Sequence, residues 1–252
     1  MASAVLYAAL FGLFFVVGVY HLKGSGLMTM REMTGADNPR SNKKALLAVG
    51  AMFPRFLQKD IPDDCLGRVI EMARLAPSEW NFQTWRWIVV RGASAKKYLE
   101  AATYLKVPLS SAPIILICLA DTLAWKAAPQ FLQEMVAHCR ITEEEGLEAL
   151  RLVREYYSSS PEIAKRTALA NAFVAVHQIF LGAAEHNLST CWVTEFDESK
   201  IKTHFHIPDH FLVAALLPIG YREETVPPAD SKHSPRTVIY KEKFGETAGP
   251  DS

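Results

Sequence analysis

The chain has 252 residues, half of them hydrophobic, with 27 basic and 27 acidic side chains. That length and apolar content suit one large domain or two small ones with a sizeable core, and no internal repeat or low-complexity segment interrupts them. Zero formal net charge removes the electrostatic case for a nucleic-acid binder, which would need a basic face.

Residues 2–20 carry no charged side chain, and a run of about 20 such residues can span a bilayer as a helix. No Lys or Arg precedes the run, as a secretory signal would require, whereas Lys23, Arg31, Arg40, Lys43 and Lys44 follow it. The expectation is a single-pass transmembrane anchor over residues 1–22. The positive-inside rule then sets the rest of the chain in the cytoplasm; the rival reading is an export signal. Residues 23–44 mix Gly, Ser, Asn and Pro with both charges and read as a linker, leaving residues 45–252 as the folded domain. Cys65, Cys118, Cys139 and Cys191 are scattered, form no CxxC pair, and read as reduced core thiols of a cytosolic domain.

Within the domain, residues 45–52 are a short helix candidate stopped near Pro54. Asp63 or Asp64 is placed to cap a helix whose Leu66, Val69, Ile70 and Ala73 follow core-facing spacing. Pro77 ends it, and residues 85–90 (WRWIVV) form a strand. Ser94 is placed to cap a helix over 95–105. Residues 114–119 (IILICL) suit a central strand buried on both faces. Residues 121–157 read as mostly helical, with a capping box at Thr142 and Glu145 and with Leu147, Leu150 and Val153 at helical spacing. The acidic run 143–145 suits the first turn of that helix.

After a break at 158–161 (SSSP), residues 167–186 form a helix apolar nearly all round. It must be buried on several sides, within its own domain or at a subunit interface. His177 upon it reads as a hydrogen-bonded core histidine, and Asn187 is suited to end it in the left-handed conformation. A strand over 189–193, a short helix capped by Asp197 and a strand over 211–219 closed by Gly220 follow. The tail from Glu223, with Pro227, Pro228 and Pro235, has little periodicity and is either disordered or wrapped over a neighbour.

The usual nucleotide cradles, GxGxxG and GxxxxGK[ST], are absent, as are GxSxG and HExxH. HFHIPDH (204–210) offers His204, His206, Asp209 and His210 as metal ligands. However, Pro208 breaks their spacing and no distant partner completes a set of three or four, so no metal is expected. The remaining candidate is the polar loop 78–83 between the first helix and first strand. Ser78, Asn81 and Gln83 supply a hydroxyl and two amides, and Trp80, Trp85 and Trp87 supply flat apolar area. Such a loop suits a planar, polar-edged ligand, and equally a structural turn whose side chains cap the backbone.

Taken together, ARLAPSEWNFQTWRWIVV (73–90), LGAAEHNLSTCWVTEFD (181–197), LLPIGYREETVPP (216–228) and KHSPRTVIYKEKFG (232–245) resemble, in order and spacing, the FMN-dependent nitroreductase family. Arg55 and Ile61-Pro62 resemble the end of that family's N-terminal arginine motif. The likeness covers residues 45–245. It implies an α+β fold with a mixed sheet flanked by helices, and an intertwined homodimer with the long helix at the interface and the C-terminal arm on the partner. FMN would lie at that interface.

Carried over by position, Ser78, Asn81 and Gln83 would line the isoalloxazine ring. The backbone N–H groups of Thr194 and Glu195 would face N5 and O4, and Arg55 with Lys232 or Arg236 would hold the phosphate. Three departures stand out. Ala51-Met52-Phe53 occupies the usual Arg-Arg-Ser, Thr84 a usual Pro, and Glu195 a usual Gly. The implied activity is ping-pong hydride transfer from NADH or NADPH through flavin N5 to quinone or nitroaromatic acceptors. Trp80, Phe82 and the segment 121–157 would serve as an apolar lid. The alternatives are a non-catalytic, membrane-tethered flavin- or ligand-binding dimer and a reductive dehalogenase of the same fold.

Overall fold

The computed structural model describes residues 55–104, 108–223 and 238–245. The apolar run 2–20, the linker, Lys232 and Arg236 lie outside the described residues. The described chain forms six α-helices and four strands: α1 Asp63–Arg74, β1 Trp85–Val90, α2 Ala93–Ala102, β2 Ile114–Asp121, α3 Ala128–Ala137, α4 Glu143–Ser159, α5 Pro161–Glu185, β3 Ser189–Thr190, α6 Glu198–Phe205 and β4 Phe211–Gly220.

The strands order as β1-β2-β4-β3. The resemblance implied a mixed sheet, but every pairing among the described strands is antiparallel. The connections explain this. The excursion through α2 returns the chain to the end of the sheet where β1 left it, pairing Val90 with Ile115. The longer excursion through α3–α6 returns it to the other end, pairing Asp121 with Phe211.

Strand β2 is buried from Ile114 to Ala120, so both faces need cover. Its even-numbered residues, with Ala215 and Leu217, pack under α1 and α5 through Val69, Ala73, Ala172, Val176 and Ile179. Its odd-numbered residues pack under α2 and α6 through Leu99 and Ile201. Small residues let α5 lie close. A Cβ added at Gly182 would stand 3.2 Å from the Val69 Cα, so the α1–α5 contact is nearly backbone on backbone. Among the described residues α5 alone is long and apolar enough to cross a membrane, and its buried face belongs to this core. The cysteines are free; Cys65, Cys118 and Cys191 are buried as expected, whereas Cys139 is exposed because it lies in the turn that follows α3.

Local details depart from the expectations in instructive ways. Pro62 precedes α1 without a side-chain cap, and Asp63 and Asp64 lie in the first turn, where the helix dipole favours them. Gly92, not Ser94, precedes α2. Helix α5 starts six residues early because Ser160 accepts from the Glu162 N–H and Pro161 occupies the first turn, a position whose missing N–H costs nothing. Asn187 takes φ 55°, and Thr142 with Glu145 forms the capping box, both as expected. The strand expected over 189–193 is regular only at its first two residues, with Val193 rejoining β4 by a single bridge to Leu216.

His177 is exposed, contrary to its expected core role, because it lies on the side of α5 turned from the sheet. Leu147 is 70% exposed and borders an apolar cleft of about 370 Å³ between α3 and α4.

Gly220 closes β4 under rigid neighbours. A Cβ there would sit 2.6 Å from Pro113 Cδ and 2.8 Å from Phe56 Cδ1. Gly220→Ala is therefore expected to lower the unfolding free energy in urea by about 1–3 kcal/mol, the usual cost of overpacking.

Candidate functional site

The loop between α1 and β1 turns through a single 3₁₀ turn, Glu79–Asn81. Trp80, Asn81 and Gln83 have φ of 51°, 53° and 47°, left-handed values that cost non-glycine residues roughly 1–2 kcal/mol each. The loop stabilises part of this itself. The Asn81 N–H donates to the Ser78 carbonyl and the Phe82 N–H to the Glu79 carbonyl, each at 3.0 Å. The Gln83 N–H donates to Ser78 Oγ at 3.0 Å. Ser78 therefore serves the backbone, whereas the Asn81 and Gln83 side chains are exposed beside half-buried Trp80. Phe82, expected near the ligand as part of a lid, is buried instead, with its ring edge-on to Tyr157 at 5.4 Å.

Contacts from the helices complete the loop, and sequence reasoning did not find them. Tyr157 donates its hydroxyl to Glu79 Oε1 at 2.7 Å, and Thr167 Oγ1 lies 3.5 Å from Glu79 Oε2. The Glu79 N–H donates to Asn171 Oδ1 at 3.1 Å. Thr84 is 2% exposed and donates its hydroxyl to the Ala168 carbonyl at 2.9 Å. A proline at that position would have no such hydroxyl, so the Thr84 departure was the one available signal. Burial first, and then the Glu79 carboxylate, pushes the Tyr157 phenol far above its ordinary range, so it remains a donor through neutral and alkaline pH.

Thr194 and Glu195 lie on the far side of the sheet, just beyond the Val193 bridge, and both are exposed. The segment is pinned by Tyr104 N–H to the Glu195 carbonyl and Asp197 N–H to the Ala102 carbonyl, both at 2.9 Å. Glu195 folds back, its Oε2 accepting the Thr194 N–H at 3.2 Å. Since β1 and β3 are the two sheet edges, the loop and this segment lie against opposite edges of the sheet. Exposed Arg55 is elsewhere again, beside the Phe56–Arg222 bridge just past Gly220. The structure thus groups Ser78, Asn81 and Gln83, and separately Thr194 and Glu195, without joining the groups within one chain. Among the described residues no three His, Cys, Asp or Glu side chains converge as a metal site; the His204 ring stacks on Tyr98 at 3.8 Å.

A model described as the nitroreductase family matches residues 55–221. A Thermus thermophilus protein named NADH dehydrogenase is 24% identical over 74% of this chain and 90% of its own length. A Bacillus subtilis protein, YodC, assigned as an NAD(P)H nitroreductase, is 25% identical over 62% of this chain and 76% of its own. Among solved structures, a protein of Exiguobacterium sibiricum assigned as a nitroreductase and crystallised with FMN superposes with a TM-score of 0.69 at 19% identity. It covers 82% of this chain and 98% of its own.

Asp197 anchors the segment after Glu195 and caps α6. The Ser199 hydroxyl donates to it at 2.6 Å and the Lys200 N–H at 3.2 Å. These donors, with the Lys200 ammonium, hold its carboxyl at about 2, below the ordinary 3.8. A lowered carboxyl pKa stabilises the fold fully above 3.8 and ceases to do so as pH falls through about 2. Amide protection in α6 is expected to drop across that acid window, and Asp197→Asn to flatten the step in hydrogen exchange.

Proposed function

The chain belongs to the nitroreductase family, a family of oxidoreductases, and on that premise we propose that it binds FMN and passes electrons from NADH or NADPH to a quinone- or nitroaromatic-type acceptor. The observation that carries this reading is the left-handed loop that leaves the Asn81 and Gln83 amides exposed beside the Trp80 ring. An amide both donates and accepts, which fits the alternating polar atoms along a flavin's pyrimidine edge. Bound FMN would supply the redox chemistry, ping-pong hydride transfer through its N5 between the nicotinamide and the acceptor.

The chain's own part is position and field. Asn81 and Gln83 orient the ring edge, and Trp80 with the α3–α4 hairpin keeps water from it. The Thr194 and Glu195 N–H groups would stabilise negative charge on the ring, which requires the Glu195 carboxylate to leave the Thr194 N–H. Arg55, with Lys232 or Arg236, would hold the phosphate, with Ala51-Met52-Phe53 adding no charge there.

The placement of the two ring-binding groups at opposite edges of one sheet favours a site shared by two copies of the chain. In that arrangement the loop of one protomer faces the Thr194–Glu195 backbone of its partner. Exposed Val174, His177 and Trp192 (49% exposed) on and beside α5 offer the apolar face for this homodimer. Residues 2–20 would hold the dimer to the membrane with the flavin domain in the cytoplasm, a location that favours lipid-soluble quinones.

The purified full-length protein is expected to be yellow, to release FMN on denaturation and to oxidise NADH or NADPH when a quinone is present. Asn81→Ala should weaken FMN binding about 2- to 10-fold, the range for one net hydrogen bond. A colourless protein that takes up no added FMN overturns the reading. In fractionated cells the full chain should stay with membranes through a high-salt wash, which strips proteins held only by charge.

A further inference from the structure

We propose that Glu79 and Tyr157 are positioning residues for Asn81, which together with Asn171 hold the loop in the left-handed form that presents the Asn81 amide to a bound flavin ring. This rests on the flavin reading above.

Four consecutive positions, 80–83, contain three of the seven described non-glycine residues with positive φ. Such a concentration does not hold itself, because bulky residues in this region persist only where surroundings over-determine them. The loop's internal bonds, from Asn81, Phe82 and Gln83 N–H to Ser78 and Glu79, move with the loop and do not fix its direction. Glu79 reaches outward in two ways at once. Its backbone N–H is taken by Asn171 of α5, and its carboxylate by the hydroxyls of Tyr157 on α4 and Thr167 on α5. Tyr157 grips the other side as well, through its ring against Phe82. The residues immediately before and after Trp80-Asn81 are thus fastened to the same tyrosine, itself 3% exposed.

Asn171 supports the same conclusion. It is 7% exposed, and its Nδ2 has no hydrogen-bond partner among the described residues. Turning the amide over would set Nδ2 donors against the Glu79 N–H, so Glu79 fixes the orientation and the unmet donor is its consequence. Buried polar groups are otherwise nearly always satisfied. An asparagine here has one described use, holding Glu79, and an apolar residue would suit the helix better without it.

The test uses full-length protein and two ligands, FMN and riboflavin, which share the ring and differ in the phosphate. Tyr157→Phe keeps the ring against Phe82 and removes only the hydroxyl. It is expected to weaken both flavins by the same factor, roughly 3- to 10-fold, within the net worth of one hydrogen bond, measured below the melting temperature of the flavin-free variant. Glu79→Ala should do the same or more. Glu79→Gln, which retains an oxygen to accept the phenol, should recover most of the affinity. A purely structural role predicts a lower melting temperature with both affinities unchanged while the protein is folded, and that result overturns the positioning role alone. Loss of FMN affinity without loss of riboflavin affinity also overturns it, by pointing to the phosphate end. Failure of the wild type to bind either flavin overturns the flavin reading itself.

Discussion

The absence of any polar face on β2 is the constraint from which the architecture follows. A strand buried on both sides must sit at the centre of a sheet with a helical layer on each side. One layer is α1 with α5, the other α2 with α6. Helix α5 has the larger share because its row of alanines lets it settle on the sheet. Its N-terminal half brings Thr167, Ala168 and Asn171 next to the loop at the start of β1. The element that buries the sheet is also the element against which the candidate site is built.

Rigidity and exposure are divided accordingly. Residues whose side chains serve the backbone or the helices, namely Ser78, Glu79, Phe82 and Thr84, are turned inward or held. Those exposed to the solvent, Asn81 and Gln83, carry amides, and the Gln83 Nε2 also donates to the Asn81 carbonyl at 3.4 Å. On the opposite edge, Thr194 and Glu195 are exposed but their backbone is pinned to residues 102 and 104. Both halves are polar groups on a fixed support, and at the second the Glu195 carboxylate covers the Thr194 N–H.

Much of this was legible in the sequence wherever one physical signal dominated. The continuous apolar run of β2, the Thr142–Glu145 capping box, the Asp197 cap and the left-handed Asn187 each follow from a local rule, and each is present. The α5 boundary was misjudged because Ser160 and Pro161 were read only as a break, though a serine followed by proline also starts a helix. His177 was misplaced because a helix apolar nearly all round hides which side faces the sheet. In the loop, residue types single out the amides of Asn81 and Gln83, both exposed in the structure, but nothing local marks Glu79. Its partners are 78 to 92 residues away in sequence, and only the folded chain brings α4 and α5 to it. The same applies to the split between the loop and the Thr194 segment, which depends on strand order.

The arrangement around Glu79 also bears on how such a loop can change over evolutionary time. The groups that set its handedness are a backbone N–H, a carboxylate and side chains on two helices, whereas the groups facing outward are Asn81, Gln83 and one face of Trp80. Shape and exposed chemistry are therefore written in different codons. Drift at the outward positions can retune what the loop meets without disturbing its form, while the clamp residues can change only in concert.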